Sequence, residues 1–232
     1  MNVIITGASR GMGKAMAIKF ASAGYDLILC SKNVQTLNET KASISNQFPS
    51  IDIKVFAADL SIKEETQSFG KFCLQYDAPD ILINNAGTYT PGKCMDEPDG
   101  FMENILNLNF YSAYHLTRVL LPSMIKKGKG HIFNMCSVAS LKAYEGGGSY
   151  SVSKFAMYGF SQNLRLELMP HGIKVTSVFP GAVLTDSWGD LDNSNGRIMV
   201  VDDIVEMMYA ATKLSPQAVV EEILIRPQLG DM

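Results

Sequence analysis

Seven short apolar runs recur along the chain, and segments of helical length and periodicity separate them. The runs are Val3–Thr6, Leu27–Cys30, Ile53–Phe56, Ile81–Asn84, His131–Met135, Val175–Phe179 and Ile223–Ile225. Between them lie Gly13–Ala23, Val34–Phe48, Ile62–Gln75, Phe101–Lys127, Tyr150–Met169 and Asp202–Lys213. Strand, helix, strand repeated in this way implies α/β architecture: a parallel sheet with helices on both faces, because each crossover returns over one face. The runs barely alternate in polarity, as strands buried on both sides do. At 232 residues, without linker, repeat or low-complexity stretch, the chain (1–232) reads as one domain. A polar segment at about 182–199, carrying the only tryptophan, Trp188, reads as a short substrate loop.

Composition narrows the function classes. Hydrophobic residues make up 47% and charged residues 19%, the balance of a soluble globular protein. A net charge of −3 argues against a nucleic-acid or anionic-membrane surface. No apolar run approaches the roughly 20 residues of a membrane span. Met1-Asn2-Val3-Ile4-Ile5 runs straight into a glycine-rich turn, which predicts no signal peptide. Cys30, Cys73, Cys94 and Cys136 are scattered, the pattern of thiols in a reducing compartment, so a cytoplasmic location is expected. His115, His131 and His171 are equally dispersed, and no metal site is expected.

The first strand empties into Thr6-Gly7-Ala8-Ser9-Arg10-Gly11-Met12-Gly13. Glycines there let the backbone turn tightly and approach a pyrophosphate, which sits at the positive end of the following helix. The spacing Gly-x-x-x-Gly-x-Gly departs from the common dinucleotide fingerprint, and a plain strand-to-helix turn is the alternative. The second strand ends in Ser31 and Lys32 where an NAD site usually carries a carboxylate. With Arg10 in the glycine turn, two cations and a hydroxyl suit a 2′-phosphate, so NADP(H) is favoured over NAD(H). Solvated surface charges would leave the same trace.

Tyr150 and Lys154 lie four apart, on one face of a helix. A cation about 4 Å from a phenol favours its ionised form by up to roughly 4 kcal/mol at an effective dielectric near 20. That predicts a Tyr150 pKa drawn down toward neutrality, where it passes a proton readily. Taken alone, the pair also fits an ordinary amphipathic helix. Ser137 ends a buried strand, at the carboxyl edge where ligands bind in such sheets; a helix cap or turn explains a serine there equally. Asn109 interrupts an apolar helix, as a functional or as a structural amide.

Taken in order, Thr6–Gly13, Asn84-Asn85-Ala86-Gly87, Asn109, Ser137 and Tyr150-x-x-x-Lys154 make the chain resemble the short-chain dehydrogenase/reductase family, and its NADP(H)-dependent carbonyl and 3-oxoacyl reductases in particular. The resemblance implies a Rossmann-type three-layer α/β/α sandwich on a seven-stranded parallel sheet. It implies that Gly7, Ser9, Arg10, Gly11, Met12, Gly13, Ser31, Lys32, Asp59, Leu60, Asn85, Ala86, Gly87, Pro180, Gly181, Val183 and Thr185 line the cofactor, with Asp59 and Leu60 at the adenine. Thr185 would lie near the nicotinamide carboxamide. Asn109 would hold a relay water, Ser137 would orient the substrate oxygen and Tyr150 would give or take the proton. Lys154 would bond the nicotinamide ribose and lower the Tyr150 pKa.

The expected activity is transfer of hydride from NADPH to a ketone or aldehyde, the partner being a small-molecule carbonyl or alcohol. The alternatives are NAD-dependent oxidation of an alcohol, and a nucleotide-binding sensor without turnover. Phe155, Met157, Tyr158, Phe160, Leu164, Leu166 and Leu168 leave the Tyr150 helix apolar nearly all round, which predicts burial on two sides. A homodimer or homotetramer built on this helix and Phe101–Lys127 follows. Gly146-Gly147-Gly148, just before Tyr150, reads as relief of crowding.

Overall fold

The computed structural model describes residues 1–185, 192–194 and 196–230. Its strands are β1 (Asn2–Thr6), β2 (Asp26–Ser31), β3 (Ile53–Ala57), β4 (Ile81–Asn84), β5 (Gly130–Met135), β6 (Ile173–Pro180) and β7 (Glu222–Ile225). They form one parallel sheet in the order β3-β2-β1-β4-β5-β6-β7. The helices are α1 (Gly11–Ser22), α2 (Val34–Gln47), α3 (Lys63–Cys73), α4 (Phe101–Leu106), α5 (Ser112–Lys127), α6 (Gly148–Leu168) and α7 (Val201–Thr212). This is the seven-stranded Rossmann-type sandwich anticipated above.

Successive side chains of a strand point to opposite faces, and β1 shows how both become core. Val3 and Ile5 join a cluster with Met16 and Phe20 of α1 and Ile204 and Met208 of α7. Ile4, between them, joins Phe69 of α3, Leu116 and Leu120 of α5 and Leu164 of α6. Phe20, Phe69, Phe133 and Phe179 are fully buried; each contributes about 1.5–3 kcal/mol relative to exposure.

Strand order reverses between β1 and β4, the chain running outward to β2 and β3 on one side and to β5, β6 and β7 on the other. A crevice opens there at the carboxyl ends of the strands. The long helical segment foreseen from Phe101 to Lys127 is not uniform. A π-helical turn at Asn107–Tyr111 separates α4 from α5, and the buried side chain of Asn109 is bonded across it to Thr88. Within the 182–199 segment, Val183 and Met199 form a parallel bridge, and Leu184 N donates to Met199 O at 2.8 Å. Trp188 lies outside the described residues.

Candidate active site

The nucleotide end is built by close backbone approach. A Cβ on Gly13 would collide with Gly7 O and stand 2.7 Å from Asn85 Nδ2, so only glycine lets α1 begin so near the end of β1. Asn85 Nδ2 donates to Thr6 O at 2.9 Å and Gly7 O at 3.2 Å. The Thr6 hydroxyl accepts from the backbone of Asn85 and Ala86, each at 2.9 Å, tying the ends of β1 and β4 together across the reversal. Arg10, extended at φ −159°, precedes α1 without a side-chain cap, and the first turn holds no acidic residue. The opening amides of α1 are therefore left without a side-chain cap, as a helix end that receives an anion requires. Cradle and helix end together fit a dinucleotide pyrophosphate. Met12 packs against the core, so that only its backbone serves the turn.

At the second strand, Ser9 and Ser31 hydroxyls meet at 2.8 Å and Arg10 is exposed. Lys32 departs from the picture of an uncompensated cation, because its ammonium lies 2.6 Å from the Asp59 carboxylate. Asp59 also accepts from Ser61 N at 3.1 Å and Ser61 Oγ at 2.6 Å. Burial alone would push this carboxyl up, but the bonds from Lys32 and Ser61 hold it below the usual carboxylate range. Leu60 is buried in the core cluster of α3, α5 and α6. Pro180 closes β6, Gly181 N donates to Ile225 O at 2.8 Å, and the side chain of Thr185 stands 3.6 Å from where a Cβ on Gly11 would sit.

The catalytic candidates gather at the ends of β4 and β5 and the start of α6. Ser137 follows β5 in extended conformation, and its hydroxyl accepts from Ala139 N at 3.2 Å. Tyr150 lies in the first turn of α6, with the Ser137 hydroxyl beside its own. Lys154 is 7% exposed; its Nζ donates to Met135 O at 2.7 Å and lies 5.7 Å from the Tyr150 ring centroid. Asn109, fully buried, accepts from Thr88 N at 2.8 Å and donates to Thr88 O at 2.9 Å and Ser153 Oγ at 3.1 Å. Its amide staples the segment after β4 to α6, leaving one lone pair of Oδ1 for anything else. Gly87 packs against this amide: a Cβ there would lie 3.2 Å from Oδ1.

The expected lowering of the Tyr150 pKa is corrected by this geometry. Burial is the dominant influence and raises it; the Ser137 hydroxyl pulls it down, and Tyr89 and Cys136 push it further up. Burial likewise lowers the Lys154 pKa, opposed by Cys136. The ammonium is turned to the Met135 carbonyl and lies 5.7 Å from the Tyr150 ring centroid, so desolvation outweighs the Coulomb attraction that sequence spacing suggested.

Two elements that sequence reasoning missed complete the pocket. Tyr89, 53% exposed, meets the Tyr150 ring edge to face, with centroids 4.9 Å apart. Glu97 bonds Ser149 at the start of α6. No spacing rule pairs these residues with α6; only tertiary folding does. Cys136, buried beside the pair, has its thiol pushed up to about 11 by burial.

A dinucleotide cradle feeding a half-buried phenol and a buried ammonium defines a class, the nicotinamide-dependent oxidoreductases built on a parallel sheet. Comparison with known proteins agrees. The profile of the short chain dehydrogenase family matches residues 1–196. The sepiapterin reductase of Chlorobaculum tepidum is 30% identical, the match covering 99% of this chain and 97% of that protein. A metagenomic short-chain oxidoreductase in complex with NADP superimposes with a TM-score of 0.85 at 27% identity, over 98% of this chain and 97% of that one. The short-chain dehydrogenase of Sphingobium yanoikuyae, in complex with NADPH, gives 0.84 at 30% identity, over 95% and 87%. This chain belongs to the short-chain dehydrogenase/reductase family of oxidoreductases.

Proposed function

We propose that the protein, as one catalytic unit, uses NADPH to reduce the carbonyl of a ketone or aldehyde, with Tyr150 giving the proton. The observation that carries this is the meeting of Ser137, Tyr150 and Lys154 at the strand ends, beside the glycine turn of β1. Bound in the cradle, NADPH supplies the hydride. Ser137 holds the substrate oxygen against the Tyr150 hydroxyl, which protonates it as negative charge develops. Lys154, its Nζ anchored on Met135 O at 2.7 Å, bonds the cofactor ribose. Asn109 keeps the strand-end segment and α6 in register. Arg10, Ser31 and Lys32 favour a 2′-phosphate, and the solved relatives holding NADP and NADPH support that choice.

The Asp59 carboxylate beside Lys32 favours a second reading: oxidation of an alcohol with NAD, which competitive titration of the two dinucleotides separates. We place the protein in the cytoplasm, on the strength of its four free cysteines; no helix of the described residues is long and apolar enough to cross a membrane. We propose a homodimer or homotetramer built on α6 and the Phe101–Lys127 segment, where Val152, Phe155 and Leu166 of the one and Tyr111 of the other are exposed.

The deciding experiment replaces Tyr150 with Phe. Turnover against a panel of carbonyls falls at least about a hundredfold, within the range of general acid catalysis, while NADPH affinity, read by fluorescence, is retained. Undiminished turnover in Tyr150→Phe removes Tyr150 as the acid; NADPH binding by the wild type without turnover on any carbonyl or alcohol makes the protein a sensor.

A further inference from the structure

The first turn of α6 lacks a cap of its own. Its N-cap residue is Gly147, which has no side chain, and no acidic residue stands in the first turn. The partner comes from 52 residues upstream: Glu97 Oε1 accepts from Ser149 N at 2.9 Å, and Oε2 accepts from Ser149 Oγ. Ser149, fully buried, is the residue before Tyr150. Glu97 is itself held, its N donating to Lys93 O at 3.2 Å in a turn ahead of α4. Two further ties join the same segments: Gly92 N donates to Gly146 O at 3.0 Å, and Lys93 pairs with Glu145 at 3.8 Å.

Gly148 shows that the fold depends on this contact. Its φ is +41°, and a Cβ there would collide with Glu97 Oε1 and stand 2.8 Å from Gly92 O. The helix goes without a side chain at the place the carboxylate occupies. The crowding expected around the triple glycine is found at Gly148, against Glu97 and Gly92, and at Gly147, against Tyr144 and Ser151, while Gly146 stands in open space.

We propose that Glu97 is a positioning residue for the reaction: by capping α6 from the segment after β4, it fixes the first turn and with it the Tyr150 hydroxyl. This rests on the reading of Tyr150 as the acid. The test compares full-length Glu97→Ala and Glu97→Gln with the wild type. In Glu97→Ala, kcat falls about tenfold to a hundredfold, the scale of a small misplacement of a reacting group, with KM and NADPH affinity little changed. Glu97→Gln keeps most of kcat, because its amide oxygen accepts from Ser149 N while its NH₂ donates to Ser149 Oγ. Amide hydrogen exchange across 146–154 speeds up in Glu97→Ala and not in Glu97→Gln, a measurement that needs no turnover. The proposal is overturned by a Glu97→Ala enzyme within about twofold of wild-type kcat, or by Glu97→Gln failing as badly as Glu97→Ala. Should the wild type turn over no carbonyl at all, the functional reading fails alone, and the exchange data still decide whether Glu97 holds the turn.

Discussion

Tyr150 is the acid proposed above, and its surroundings bear on the direction in which such an acid works most readily. Desolvation is the largest influence on this half-buried phenol and raises its pKa. A pKa above the ordinary value means that the acid form persists through neutral pH and is lost only as pH climbs through the raised pKa. Reduction uses that acid form, whereas oxidation needs the phenolate. We therefore expect reduction rates that show no ionisation near neutrality, and oxidation rates that climb steadily with pH. A falling limb of reduction near pH 7, absent in Tyr150→Phe, would show instead that cofactor and Lys154 together outweigh burial. Sequence spacing placed Tyr150 and Lys154 on one face correctly. It was silent on burial, and burial decided the sign. Lys32 repeats the lesson: its charge was readable, but Asp59 beside it was not, because β2 and β3 bring them together only in the sheet.

At the scale of elements, the strands were legible because strands buried on both faces read as unbroken apolar runs. Boundaries drifted where polar residues pair at strand ends, as Lys174 does with His131 at the beginning of β6. The glycine turn was legible too, and its reason is now physical: α1 abuts β1 so closely that Gly13 tolerates no side chain. Gly13→Ala should press on Gly7 O, shift the start of α1 and cost about 1–3 kcal/mol of stability. NADPH affinity should fall at least about tenfold if the opening amides of α1 receive the pyrophosphate, because they move with the helix. Calorimetric titration together with thermal melting checks both; unchanged affinity would place the pyrophosphate elsewhere. The cap on α6 was not legible, since nothing in the spacing of Glu97 and Ser149 points one to the other.

For the whole molecule, the sheet covers its two faces with separate cores, yet α6 retains exposed apolar side chains. Phe155 and Leu166 are 44% and 64% exposed. These side chains belong to the face on which assembly with a second copy is proposed above. Phe155→Asp should shift the protein to a monomer at micromolar concentration without unfolding it, as sedimentation velocity would show. A wild type already monomeric there argues against assembly on this face. The reversal between β1 and β4 gathers cradle and catalytic residues from distant parts of the sequence into one crevice, which is why order of motifs mattered more than any motif alone.

The wide turn at Asn107–Tyr111 packs one more residue into its winding than an ordinary helix does. Excising a single position there would let α4 and α5 fuse into a smooth rod, but would swing everything upstream by about 100°. The amide of Asn109 would then face away from Thr88. The segment after β4 would lose the amide bonds that Asn109 makes to Thr88, and with them its tie through Ser153 to α6.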